Sequence, residues 1–194
     1  MGFESDAAVV ADSLDQPARF AVLYERHLPT VERYLARRVG SELAEDLTAE
    51  VFVRAFRVRG RFRAEHETAL PWLLGIASHL VGDQRRAEQR RLASLRRLAS
   101  TISAEAHDDL AIVAPDLVRK LRRLPAADRD ALLLVAWGEL SYEETAVALG
   151  IPLGTVRSRI ARARKRLANP VGEDAPESGA LQAPAVISKG ETNV

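Results

Sequence analysis

The chain has 194 residues, enough for one domain or two small ones, and a formal net charge of only +1, which excludes a uniformly cationic nucleic-acid coat. It contains no cysteine, so disulfides and thiolate metal sites are excluded. No apolar run approaches bilayer length and no signal peptide opens the chain, so a cytoplasmic location without a membrane partner is expected.

The near-neutral total hides segregation. Residues 85–97 carry six arginines against one glutamate, and residues 42–50 carry four acids and no base, which implies more than one kind of partner. Arginine outnumbers lysine 25 to 3, favouring planar bidentate contacts. Strand-like alternation is absent, and glycine and proline cluster outside the periodic segments. The predicted fold is all-α.

In chain order, residues 1–16 lack periodicity and are expected to form a mobile leader. From Pro17, the residues Phe20, Leu23, Tyr24, His27, Leu28, Val31, Tyr34, Leu35 and Val39 trace an apolar face through two helical segments, with Pro29 marking the joint. Gly40 ends this stretch and Ser41 is placed to cap the next. A third helix, from Ser41 to Val58, turns Leu47, Val51, Ala55 and Phe56 inward. Its first half presents Glu42, Glu45, Asp46 and Glu50 on neighbouring helix positions. Acids there complement the helix dipole, but a docking face is the preferred reading. A metal site lacks the Glu-x-x-His spacing of carboxylate-bridged bundles, and no cofactor is expected.

Residues 59–70 break periodicity and read as a loop exposing Arg61, Arg63, His66 and Thr68. Pro71 opens a helix with Trp72, Leu73, Ile76, Ala77 and Leu80 buried, after which Asp83, Arg85, Arg86, Arg90 and Arg91 replace the apolar stripe. A helix of this kind is anchored at its start and offers its far half to a polyanion. Residues 92–114 read as a flexible linker.

A second domain spans residues 115–168. Leu117, Val118, Leu121 and Leu124 form one face, and Pro125 starts a helix that ends at Gly138. Ser141 and Glu144 form a capping box, Gly150 supplies the turn and Pro152 the entry to a last helix. Val156, Ile160, Ala163 and Leu167 make one buried stripe on that helix, and Arg157, Arg159, Arg162, Arg164, Lys165 and Arg166 fall largely off it with no acid among them. A basic face alone is usually solvated. Joined to a capped helix and a Gly-Ile-Pro turn, it reads as a helix-turn-helix for DNA. Its amino end enters the major groove first, so Gly154, Thr155, Arg157 and Ser158 are the candidate base readers, with Arg159 a further DNA-binding candidate and Arg162, Lys165 and Arg166 as phosphate clamps. Residues 169–194, rich in Ala, Pro, Gly and Ser, are expected to be a disordered tail.

Two separated segments together resemble the extracytoplasmic-function class of bacterial RNA polymerase sigma factors. FAVLYERHLPTVERYLARRVG, AEDLTAEVFVRAF and PWLLGIASHLVGDQRRAEQR are similar to region 2 of that family, and LRRLPAADRDALLLVAWGELSYEETAVALGIPLGTVRSRIARARKRL to region 4. The resemblance implies a region 2 helical bundle at residues 17–91 that binds core RNA polymerase and opens the minus-10 promoter element, and a region 4 at 115–168 that reads the minus-35 element. It implies that Glu45, Asp46, Ala49 and Glu50 meet the clamp coiled coil of the largest polymerase subunit, with Ala49 standing where the family often has Gln. The loop from Gly60 to Leu70 is similar in place to the one that captures a flipped non-template base. Arg61, Arg63, His66, Thr68, Ser78, His79, Asp83, Arg85 and Arg86 are therefore the minus-10 candidates, with Ser78 and His79 where Arg and Asn are common. An anti-sigma factor is also implied.

The rival within transcription is a helix-turn-helix regulator that is not a polymerase subunit; it usually carries an α/β receiver, for which no strand pattern exists. A hydrolase is disfavoured because His27, His66, His79 and His107 are scattered and no nucleophile elbow or phosphate loop appears. No enzymatic activity is expected.

Overall fold

The structure, a computed structural model of the chain, describes residues 4–63, 67–98 and 115–168. His66 and His107, and the stretches 99–114 and 169–194 read as linker and tail, lie outside the described residues. Every regular element among the described residues is helical: α1 Asp6–Asp15, α2 Ala21–Val39, α3 Ser41–Val58, α4 Leu70–Leu98, α5 Pro115–Arg123, α6 Ala126–Ala136, α7 Tyr142–Leu149 and α8 Leu153–Ala168, with short 3-10 turns at Pro17–Phe20 and Arg59–Arg61.

The expected leader is instead a helix. Ser5 caps α1 by accepting the Ala8 N–H at 3.2 Å, and Val9 and Val10 are buried against α2 and its neighbours. The two segments expected around Pro29 are one helix, α2, with Pro29 on its exposed side, where water can satisfy the carbonyl that loses its partner. Gly40 rather than Ser41 occupies the N-cap of α3, and no side chain caps it. The fourth helix, α4, continues to Leu98, past the expected boundary at residue 91.

The first core gathers Leu23, Val31, Leu35, Val51, Leu73 and Leu74 from α2, α3 and α4, each fully buried. Burying such a side chain contributes about 1.5 to 3 kcal/mol. The second core joins Leu121, Leu124, Ala131 and Leu133 to Val156, Ile160 and Ala163, so α5 and α6 seat the face of α8 that the sequence periodicity had marked.

These cores are not independent. Leu134, Leu140 and Ala148 of the second half pack into the first core, and Trp137 and Leu149 touch both. A close approach is at Gly75 of α4, where a Cβ would stand 2.3 Å from the carbonyl oxygen of Ala148 in α7. Only a glycine allows the two helices to meet at this distance.

Candidate nucleic-acid interface

The helix-turn-helix forms as its residue types dictate. Ser141 Oγ accepts the Glu144 N–H at 3.0 Å, and the Glu144 carboxylate accepts the Ser141 N–H at 2.7 Å, closing the capping box at the start of α7. Gly150 takes the left-handed conformation at φ 62°, and the Ile151 N–H returns to the Ala146 carbonyl at 3.0 Å. The Pro152 carbonyl then accepts from Thr155 and Val156, starting α8. Val156, Ile160 and Ala163 are buried, which turns Gly154, Arg157 and Ser158 outward and leaves Thr155 and Arg159 half-buried. A Cβ at Gly154 would meet nothing within 4 Å, so the backbone there is open to a close approach. Ser158 donates its hydroxyl to the Thr155 carbonyl at 3.0 Å, keeping its oxygen lone pairs as acceptors.

Lys165 and Arg166 are exposed in the last turns. Arg162, also exposed, is already engaged within the protein. Its Nε and Nη2 grip both oxygens of Asp128 at 3.1 and 2.8 Å, and this carboxylate, only 3% exposed, lies in the first turn of α6. The fork ties α8 to α6, and the bond to Asp128 raises the guanidinium's pKa. The partner lies 34 residues away in sequence, so helical spacing carried no sign of it.

On α4 Leu73, Ala77 and Leu80 are buried as expected and Leu74 joins them, while Trp72 and Ile76 are only half-buried, Trp72 lying 5.2 Å from Phe62 ring to ring. His79 is exposed. Its Nδ1 lies 2.8 Å from the Gly75 carbonyl oxygen, which can only accept, so Nδ1 carries a proton and Nε2 is left for a ligand. Ser78, expected on the exposed face, is instead buried: it is 4% exposed and its Oγ lies 2.9 Å from the Tyr34 hydroxyl, on the core side of α4. Asp83 is neutralised by Arg86 at 2.6 Å and approached by Arg54 at 3.6 Å; Arg86 first, then Arg54, hold its carboxyl below the ordinary range. Arg85 is half-buried and Arg86 exposed.

Arg61 and Arg63 stand exposed, while the Thr68 hydroxyl is already engaged within the protein, donating to Asp6 and accepting from the Leu70 N–H, each at 3.2 Å. Arg61, Arg63 and Trp72 line a cleft of about 600 Å³ whose other wall is Val147, Gly150 and Pro152 of the helix-turn-helix.

The acidic helix α3 exposes Glu45, Asp46 and Ala49 and half-buries Glu50, which accepts from Arg54 at 2.9 Å. Beside these acids runs a groove of about 630 Å³ between α2 and α3, lined by Tyr24, Leu28, Thr48, Ala49, Phe52 and Val53. Tyr24, read from periodicity as a core residue, is 43% exposed there and stacks edge-on against Phe52, with ring centroids 4.8 Å apart. Thr48 Oγ1 is buried without a hydrogen-bond partner. Sequence reasoning marked the acids but not this apolar strip; the clue was Val53, an apolar residue off the inward face, 42% exposed. Among the described residues no helix is long and apolar enough to cross a membrane.

Residues 23–91 match the family described as sigma-70 region 2, and residues 116–167 match sigma-70, region 4. The chain is 39% identical over 135 residues to the ECF RNA polymerase sigma factor SigC of Mycobacterium tuberculosis, covering 66% of this chain and 69% of that protein. It is 36% identical over 172 residues to SigD, an ECF RNA polymerase sigma factor of the same organism, covering 82% and 81%. Among solved structures it is similar to the sigma factor RpoE of Bartonella quintana, co-crystallised with the anti-sigma factor NepR, at a TM-score of 0.56 and 26% identity over 76% of this chain and 93% of that one.

Proposed function

The chain belongs to the ECF RNA polymerase sigma factors, and on that premise we propose a specific division of labour among its surfaces. The groove between α2 and α3, lined in part by Glu45 and Ala49, together with Asp46 and Glu50 of the same helix, docks on the clamp coiled coil of the largest subunit of core polymerase. Its mixed character suits such a partner: exposed Tyr24 and Val53 supply apolar contact, and the carboxylates pair with basic side chains at the rim.

Arg61, Arg63, His79, Arg85 and Arg86, on the connector before α4 and along α4 itself, meet the minus-10 element, where a base leaves the stack before it is read. Region 4 reads the minus-35 element through the amino end of α8, with Gly154, Thr155, Arg157, Ser158 and Arg159 towards the bases and Lys165 and Arg166 on phosphates. The observation that carries this reading is α8: one face fixed in a core, the opposite face cationic, and an open backbone at Gly154 where a duplex would come nearest. The co-crystal of the RpoE relative with NepR supports an anti-sigma factor as a further partner.

Run-off transcription with purified core polymerase and a genomic fragment library tests the proposal. Initiation at discrete start sites, lost when Asp46 and Glu50 are replaced by lysine, is the expected result. Binding to DNA fragments without any association with core polymerase would instead favour a regulator that is not a polymerase subunit.

A further inference from the structure

The carboxylate of Asp6 has both oxygens occupied, and its partners come from widely separated parts of the chain. Oδ2 accepts the Ala69 N–H at 2.6 Å, faces His27 Nε2 at 2.7 Å and takes the Thr68 hydroxyl at 3.2 Å; Oδ1 is held by Arg26. The side chain is 2% exposed. Burial works against its ionisation, but the bonds from His27 and the Ala69 amide, with the His27 charge and Arg26, outweigh it and hold the carboxyl well below the usual range.

The position of those donors matters. Thr68 and Ala69 close the connector that begins at Arg61, and Ala69 immediately precedes the first residue of α4. Its N–H, at the N-cap, is among the donors that a helix leaves unsatisfied at its start and that a Glu or Gln three residues on meets in a capping box. Here the acceptor is borrowed from α1, 63 residues upstream. Thr68 serves both sides, since its oxygen also accepts the Leu70 N–H. Val9 and Val10 are also buried in the core, so the attachment of α1 to the bundle does not rest on Asp6 alone. Charge-assisted bonds to a main-chain N–H are directional, and they fix where the connector ends and α4 begins.

We infer that Asp6 is a positioning residue for minus-10 recognition: through Thr68 and Ala69 it sets the carboxyl end of the connector against the non-template strand. The inference rests on the assignment of the connector and α4 to minus-10 DNA made above. It makes the N-terminal helix part of promoter opening, although α1 itself need not touch DNA.

The test uses the full chain assembled with core polymerase on a promoter it transcribes, with every minus-10 position changed singly. Open-complex formation is read by permanganate footprinting. Asp6→Asn is expected to flatten base discrimination five- to tenfold at one or two adjacent positions, with affinity for core polymerase and discrimination at minus-35 unchanged. Because Asp6→Asn can lower folding yield, His27→Leu provides a second route to the same cluster from α2. His27→Gln, which keeps an N–H donor, is expected to restore discrimination. Uniform loss across all positions, or no change in either variant, would overturn the positioning role and leave Asp6 a fold-stabilising residue. If the unaltered protein shows no minus-10 preference at all, the assignment of region 2 fails first, and the inference with it.

Discussion

Arg38 of α2 is fully buried, and its guanidinium donates to the Asp130 carboxylate of α6 at 2.6 Å, across 92 residues and from one half of the protein to the other. It also donates to the Tyr34 hydroxyl at 2.7 Å. Burial works against the charged form, but Tyr34 and Asp130 outweigh it and hold the guanidinium above its ordinary pKa. Removing the two partners therefore has unequal consequences. Asp130→Ala leaves a buried cation beside a single hydroxyl and is expected to cost about 3 kcal/mol. Arg38→Met removes the charge together with an Nε that has no hydrogen-bond partner, and is expected to be close to neutral. Urea midpoints of both variants check this, and the double variant should be no less stable than Arg38→Met alone.

The same contact brings the two surfaces proposed to meet DNA together, with Arg63 and Trp72 across one cleft from Gly150 and Pro152. Promoter elements centred about 25 base pairs apart lie roughly 85 Å apart along B-form DNA at 3.4 Å per pair. Side chains that share a cleft cannot reach both, so the proposed division of labour requires the halves to part on the promoter. Gly75→Ala is expected to open the free protein, because its Cβ would stand 2.3 Å from the Ala148 carbonyl oxygen. The radius of gyration from small-angle scattering should rise while helical circular dichroism is kept. An unchanged scattering curve would mean that α4 and α7 can adjust in place.

The elements that could be read from sequence were those whose determinants are local. The Ser141–Glu144 box, the Gly150 turn and the Val156, Ile160, Ala163 stripe involve residues within a few positions of one another, and each is present. What could not be read depends on partners far along the chain. Asp6 looked like one acid in a polar leader because its donors lie 20 to 63 residues downstream. Arg162 looked like one more cation on a basic face, and Ser78 like a polar residue near the DNA end of a helix, until Asp128 and Tyr34 were placed beside them. Tyr24 fitted the apolar period of α2, yet it lies at the lip of a groove, because periodicity gives the direction of a side chain and not what covers it.

Asp6 also predicts the acid limb of stability. Its carboxyl is held below the ordinary value of 3.8, so the native state favours the ionised form. The contribution is complete above that value, begins to fall as the pH drops past about 4, and is lost as the pH passes through the folded-state value. Asp6→Asn is expected to be less stable than the unaltered protein by about 2 kcal/mol at neutral pH, with the difference narrowing as the pH drops below 4. Chemical denaturation at a series of pH values measures the gap. A gap that stays constant down to pH 2 would mean that Arg26 and His27 do not depend on the charge of Asp6.

Arg157 and Arg162 lie five residues apart on α8, and their replacement is expected to separate recognition from folding. Arg157 is exposed near the amino end of the helix, where a bidentate contact to guanine is possible, so Arg157→Ala should cost on the order of 1 to 3 kcal/mol of binding and relax preference at one minus-35 position. Arg162→Ala strips both hydrogen bonds from the nearly buried Asp128, so it should lower the melting temperature of the second half and leave base preference intact. Salt dependence offers a further separation. If about four phosphates are neutralised, the log-log slope of binding against salt is near −3.6. Lys165→Ala or Arg166→Ala should reduce that slope by nearly one, whereas Arg162→Ala, whose guanidinium is already held by a carboxylate, should leave it unchanged. A slope that falls equally for Arg162 and Lys165 would show that the Asp128 contact yields to DNA on binding, and would return Arg162 to the phosphate clamps.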